Sequence, residues 1–220
     1  MISLYVVVDR GIFECDAAYF ASLKHLGSLA SEHPGVVLQV RAKGLPETAK
    51  PSFVARARDA LGDGVERAFL NGEARDAEAG GFGGVHWPEA AIPAAPIRGL
   101  VAGASVHSLA ALERAEAAGA AFALFGPVFD AGSKRVAGVG LAALSAITRA
   151  ASIPVLAIGG VTPRSVPSCV AAGAAGVAAV TGVLRSGDPP AAIAGYLRAL
   201  RSCPPAFPRS LATNPEKDFA

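Results

Sequence analysis

The sequence has no surplus of either charge. Twenty Lys and Arg stand against eighteen Asp and Glu, a net charge of +2. The strong basic excess that marks non-specific nucleic-acid binding is missing, so no nucleic-acid partner is expected. Charged residues make up only 17% and hydrophobic residues 52%, the reverse of a disordered chain. Cysteine is scarce. Cys15, Cys169 and Cys203 are odd in number and far apart, which gives neither a metal-ligand spacing nor a disulfide framework. No apolar run reaches the ~18 residues that span a bilayer; the stretch 117–129 is broken by Gly119, Gly126 and Pro127. The first residues lack the basic start and small-residue cleavage site of a secretory signal. A cytoplasmic protein with no membrane partner is the expectation.

What is present is Ala, Gly and Val in a repeating order. Short β-branched runs alternate with Ala-rich stretches. Strands are expected near 3–8, 36–41, 67–71, 84–86, 101–106, 122–125, 154–158 and 177–181. Val36-Val37-Leu38-Gln39-Val40 and Pro154-Val155-Leu156-Ala157-Ile158 are almost continuously apolar, as strands buried on both faces are. Between strands, Phe53, Val54, Ala57, Ala60 and Leu61 mark one buried helix face, and Leu109, Leu112 and Ala115 another. Thr162-Pro163 and Asp188-Pro189 read as helix starts, and Ala118-Gly119 and Ala172-Gly173 as helix ends. Eight strand–helix alternations predict an α/β fold, a single (β/α)8 TIM barrel over 1–203, with a doubly wound open sheet as the alternative. The fourth unit is the weakest, because Pro88, Pro93 and Pro96 crowd the short stretch after strand four. The tail 204–220, with four prolines and no periodicity, is expected to be mobile.

Several motifs fall where such a barrel places its chemistry. Gly159-Gly160, after strand seven, lets backbone N–H groups approach an oxyanion, and Thr181-Gly182 follows strand eight. Loops seven and eight of a barrel often share one phosphate site, although each pair also reads as a tight turn. Gln39, Arg41 and Lys43 share one face of strand two and suit either anion binding or a solvated rim. Asn71-Gly72 is either a turn or part of the mouth. His25 and His33 read as surface residues. His86 and His107 end strands four and five, where each either moves protons or orients a loop. Lys134, in Gly132-Ser133-Lys134, is either exposed or closes over an anion.

The order of these motifs resembles the thiamine phosphate synthase and thiazole tautomerase superfamily. The matching pieces are Gln39-Val40-Arg41-Ala42-Lys43, Asn71-Gly72, GVHW (84–87), SVHS (105–108), FALFGPVF (122–129), GSK (132–134), IPVLAIGGVTP (153–163) and AGAAGVAAVTGVL (172–184). The resemblance implies a TIM barrel, thiamine biosynthesis and a phosphorylated thiazole as the small-molecule partner. Within it, the synthase joins a pyrimidine diphosphate to a thiazole phosphate with Mg²⁺, using an Asp after strand three and another after the strand-four motif. Gly72 and Ala91 stand in those places. A hard cation needs carboxylate oxygens, so no metal site and no cofactor is expected. Asn71-Gly72 and SVHS are closer to the tautomerase (TenI-like) branch, an isomerase that moves a proton without metal. That branch carries a His where Pro127 stands, so His107 or His86 has to supply the acid and base. The leading expectation is a thiazole tautomerase-like isomerase. Arg41 and Lys43 then offset substrate charge, Gln39, Asn71, Ser105 and Lys134 bind substrate, and Gly159, Gly160, Thr181 and Gly182 hold phosphate. The alternatives are a thiamine phosphate synthase and a non-catalytic thiazole or thiamine phosphate-binding protein. Homo-oligomerisation is left open, since no residue pattern identifies an interface.

Overall fold

The structure is a computed structural model that describes residues 2–130 and 137–204. Lys134 and nearly all of the tail 204–220 lie outside the described residues. Eight parallel strands close in sequence order: β1 Leu4–Asp9, β2 Val36–Arg41, β3 Ala68–Asn71, β4 Gly84–Trp87, β5 Val101–Val106, β6 Phe122–Phe125, β7 Val155–Ala157 and β8 Gly176–Ala179. β1 pairs with both β2 and β8, which completes a TIM barrel and excludes the open sheet. The helices are α1 Asp16–Glu32, α2 Lys50–Leu61, α3 Ala74–Ala79, α4 Leu109–Ala117, α5 Gly140–Ala150, α6 Val166–Ala171, α7 Thr181–Leu184 and α8 Pro189–Arg201. None of the described helices is long and apolar enough to cross a membrane.

The continuous apolar strands are explained by two separate layers. Leu4, Val6 and Val8 of β1, and Val36, Leu38 and Val40 of β2, face the helices and join one large core. The intervening residues face inward. Tyr5, Val7, Val37, Phe69, Phe122, Leu124, Leu156 and Ala178 form a second core inside the barrel. The Tyr5, Phe69 and Phe122 rings meet at 5.3–5.9 Å between centroids. Strand glycines make room for them: a Cβ on Gly84 would lie 2.3 Å from the Phe69 ring, and one on Gly103 would lie 2.3 Å from Phe122.

Four local expectations are corrected. No α-helix joins β4 to β5 among the described residues; the connection is a single 3₁₀ turn at Glu89–Ala91 followed by extended chain. Prolines 88, 93 and 96 remove the N–H donors a helix would need. Thr162-Pro163 does not start a helix. Thr162 and Ser165 instead form a hydrogen-bonded turn, and α6 begins at Val166. β8 stops at Ala179, so Thr181 opens α7 rather than ending a strand. Leu109 is 48% exposed, and the buried face of α4 is Ala111, Leu112 and Ala115. Asp188 caps α8 as expected, its carboxylate accepting from the Ala191 N–H at 3.0 Å. His25 and His33 are exposed.

Gly103→Ala tests the packing inside the barrel. The added methyl has to displace the Phe122 ring from a full core, at about 1–3 kcal/mol of stability. Urea unfolding followed by the single tryptophan, Trp87, measures it; an unchanged midpoint would contradict this packing.

Candidate active site at the barrel mouth

Side chains alternate along each strand, and the inward set becomes polar toward the strand C-termini. The floor of that end is the Tyr5–Phe69–Phe122 cluster. Above it, Gln39 is 3% exposed and His86 fully buried. Tyr5 Oη lies 3.2 Å from His86 Nδ1, and His86 Nε2 lies 2.9 Å from Ser105 Oγ. Burial, reinforced by the nearby Arg41 guanidinium, pushes the His86 imidazole down to about 3, so the ring is neutral near pH 7. Burial pushes the Tyr5 phenol far up, with partial relief from a Gln39 hydrogen bond. Tyr5 therefore stays protonated. The neutral His86 ring carries one hydrogen, so of its two contacts, to Tyr5 and to Ser105, it donates one and accepts the other.

The rim is charged. Asp9 and Arg41 are register partners on β1 and β2, and Arg41 donates to the Asp9 carboxylate. Their side chains are only 18% and 16% exposed. The other Asp9 oxygen accepts from the Gly11 N–H at 3.1 Å, which fixes the carboxylate that holds the arginine. Lys43 lies beyond the end of β2 and is exposed. Asn71 does not extend freely into the mouth. Its Nδ2 donates to the His86 carbonyl at 3.2 Å, tying β3 to β4. His107 follows β5, and its ring contacts Glu89 rather than His86.

The two glycine-bearing loops lie after β7 and β8. Gly159 and Gly160 both adopt positive φ, 93° and 61°. A Cβ on Gly159 would meet Pro127 at 2.4 Å, so loop seven lies directly against loop six. The Ile158 and Gly159 carbonyls accept from the Val128 and Phe129 N–H groups. Thr181 and Gly182 form the first turn of α7, whose opening amides have no intrahelical partner. Gly182 also has a packing reason, since a Cβ there would lie 2.3 Å from Tyr196 Oη. That hydroxyl donates to the Val161 carbonyl at 2.7 Å and so braces loop seven.

The structure thus brings Gln39, His86 and Ser105 together inside the barrel, with Arg41 close to them at the rim. It puts His107 on the rim and gives Asn71 a bracing contact. Sequence reasoning missed Tyr5 and Asp9 as members of the site, and missed Glu89 as a partner of His107. Asp9 was reachable, because it shares the inward phase of Tyr5 and Val7. The residues do not fit a Mg²⁺ ion. Gly72 and Ala91 offer no side-chain oxygen, and both Glu89 oxygens face cationic or N–H donors. Among the described residues no group of three His, Cys, Asp or Glu side chains forms a metal site.

Residues 4–183 match the family model described as thiamine monophosphate synthase. The chain belongs to the thiamine monophosphate synthase family. It is 38% identical over 200 residues to the thiamine-phosphate synthase of Methanoculleus marisnigri, covering 86% of this chain and 90% of that one. It is 38% identical over 160 residues to a putative thiamine-phosphate synthase of Geobacter sulfurreducens, covering 69% and 75%. The solved thiamine phosphate pyrophosphorylase of Pyrococcus furiosus has the same fold, with a TM-score of 0.69 at 24% identity over 91% of this chain and 96% of that one. These relatives carry the synthase name, so the superfamily expectation holds while its tautomerase branch gains no support from them.

The buried imidazole predicts a pH dependence. In the unfolded chain His86 titrates near its ordinary value of 6.5, and in the fold at about 3. As pH falls below 6.5 the unfolded chain takes up a proton that the folded chain refuses. Stability from this group is complete above about pH 7 and falls by up to about 2 kcal/mol by pH 5. His86→Gln should show a shallower loss between pH 7 and 5 than the wild type in urea unfolding; parallel losses would contradict a buried neutral ring.

Proposed function

We propose that this protein is a thiamine-phosphate synthase, a transferase that joins a pyrimidine diphosphate to a thiazole phosphate at the C-terminal mouth of the barrel. The observation that carries it is 38% identity to a so-named synthase across nearly the full length of both chains. This replaces the isomerase as the leading reading. The roles we assign are these. Gln39 and Ser105 hydrogen-bond the heterocyclic parts, Asn71 braces β3 against β4 beneath them, and His86 is held neutral as a positioning residue rather than a proton carrier. Arg41, fixed by Asp9, offsets anionic charge together with Lys43, and Lys134, outside the described residues, is given the same role from its place in the sequence alone. Backbone amides of Gly159, Gly160, Thr181 and Gly182 receive the phosphate, where helix-start and glycine N–H groups favour oxyanions. His107 acts at the rim.

Bond formation needs the thiazole nitrogen lined up behind the pyrimidine methylene carbon as diphosphate leaves. The barrel mouth contributes by holding both partners in one orientation and by placing positive charge where the leaving group becomes more anionic. A second reading, the metal-independent thiazole tautomerase, is favoured by one observation: Gly72 and Ala91 in place of the synthase carboxylates.

Purified protein given both substrates should release thiamine phosphate and diphosphate in equal amounts. Because Gly72 and Ala91 carry no carboxylate and those of Asp9 and Glu89 are engaged by other donors, removing Mg²⁺ with chelator should lower the rate by less than about tenfold. No product with both substrates saturating, together with aromatisation of the carboxylated thiazole phosphate, would transfer the assignment to the second reading.

A further inference from the structure

Glu89 sits among donors. Its Oε2 lies 2.9 Å from the backbone N of His107 and 2.6 Å from that residue's Nδ1. Its Oε1 lies 3.6 Å from the Arg114 guanidinium on α4. Two bonds from one residue to one oxygen fix the ring relative to its own backbone. The half-exposed Arg114 guanidinium stands beside the second oxygen. A carboxylate this close to Nδ1 requires the hydrogen to be there, because the anion only accepts. The other ring nitrogen, Nε2, is thereby left as the one that meets a ligand. The Glu89 side chain is 28% exposed and the His107 side chain 60%, so the anchor is sheltered and the working end open. His107 directly follows the last residue of β5, at the barrel end that also carries Ser105 and Arg41. Two residues beyond Glu89, Ala91 has no oxygen to give a cation.

We infer that Glu89 is the positioning residue for His107, and that Nε2 of His107 meets the diphosphate oxygen as it departs. This rests on the synthase reading. The bond between the pyrimidine methylene carbon and the diphosphate oxygen breaks, and its electron pair stays on the oxygen. The lone pair of the thiazole nitrogen forms the new C–N bond and leaves that ring cationic. Nε2 of His107 takes a proton from water as the diphosphate oxygen approaches, passes it to that oxygen as the C–O bond breaks, and returns to the neutral ring with its hydrogen on Nδ1 beside Glu89. Glu89 touches neither substrate. It sets which nitrogen is presented and in what direction.

The test uses the full-length protein with ¹⁵N-labelled histidine and inorganic pyrophosphate as the probe. Ring-nitrogen spectra should place the hydrogen on Nδ1 of His107 in the wild type, and pyrophosphate should shift the Nε2 resonance. His107→Ala should weaken pyrophosphate binding by about tenfold. Glu89→Ala should release the fixed tautomer, and Glu89→Gln should keep it, since the amide oxygen still accepts from Nδ1. In turnover, Glu89→Ala should lower kcat by about ten- to hundredfold with KM nearly unchanged, with Glu89→Gln falling between. Melting curves confirm that the variants are folded. A wild-type ring with its hydrogen on Nε2, or an Nε2 signal indifferent to pyrophosphate, overturns the inference. Normal kcat in folded Glu89→Ala overturns it too, while leaving the synthase reading in place. Absence of thiamine phosphate from a wild type whose Nε2 still responds to pyrophosphate removes the synthase reading and with it the departing diphosphate, leaving only a pyrophosphate contact at the rim.

Discussion

A neutral imidazole buried at the centre of the barrel constrains everything around it. His86 has no access to water, so both ring nitrogens need partners within the protein. Tyr5 meets one and Ser105 the other, so the ring ties β1 across the barrel to the adjacent strands β4 and β5. The phenol reaches His86 only because the ring of Tyr5 stands among Phe69 and Phe122. Those rings fit only because β4 and β5 carry glycine opposite them. The apolar filling and the polar layer above it are therefore one arrangement. A change of size in the filling would move the hydrogen-bonding face that a ligand meets.

Positive charge is distributed around that neutral centre rather than within it. Arg41 is held by Asp9 and sits close enough to His86 to disfavour a second cation there. His107 and Arg114 converge on Glu89 across the adjoining rim. Loops seven and eight complete the circle with amides rather than charged side chains. Tyr196 of α8 braces the first of them and packs on the second. Such a mouth has a neutral polar floor, the Arg41 and Arg114 guanidinium groups at its rim and a set of N–H donors.

Much of the barrel was legible in the sequence because strands buried on both faces leave runs such as 36–40 and 154–158. Register then follows from alternation, which already put Gln39 and Arg41 on one face. What failed was local. Thr162-Pro163 has the residues of a helix start, but Ser165 captures the turn and delays α6 by a few residues. Thr181 looked like strand because Val180 precedes it, yet it begins α7. The Glu89–His107 contact spans eighteen positions and depends on a proline-rich connection without a helix, so no spacing rule announces it. Asp9 lay in plain alternation with Tyr5 and Val7, but an acid at a strand end also reads as a simple stop.

The account stands or falls on whether phosphorylated substrate occupies this mouth. A crystal structure of the full chain with thiamine phosphate and pyrophosphate tests that directly. The account predicts the thiazole phosphate against the Gly159, Gly160 and Gly182 amides, the pyrimidine within hydrogen-bond reach of Gln39 or Ser105, and pyrophosphate between Arg41 and His107. Ligand bound outside the strand C-termini, or phosphate held away from loops seven and eight, would contradict it.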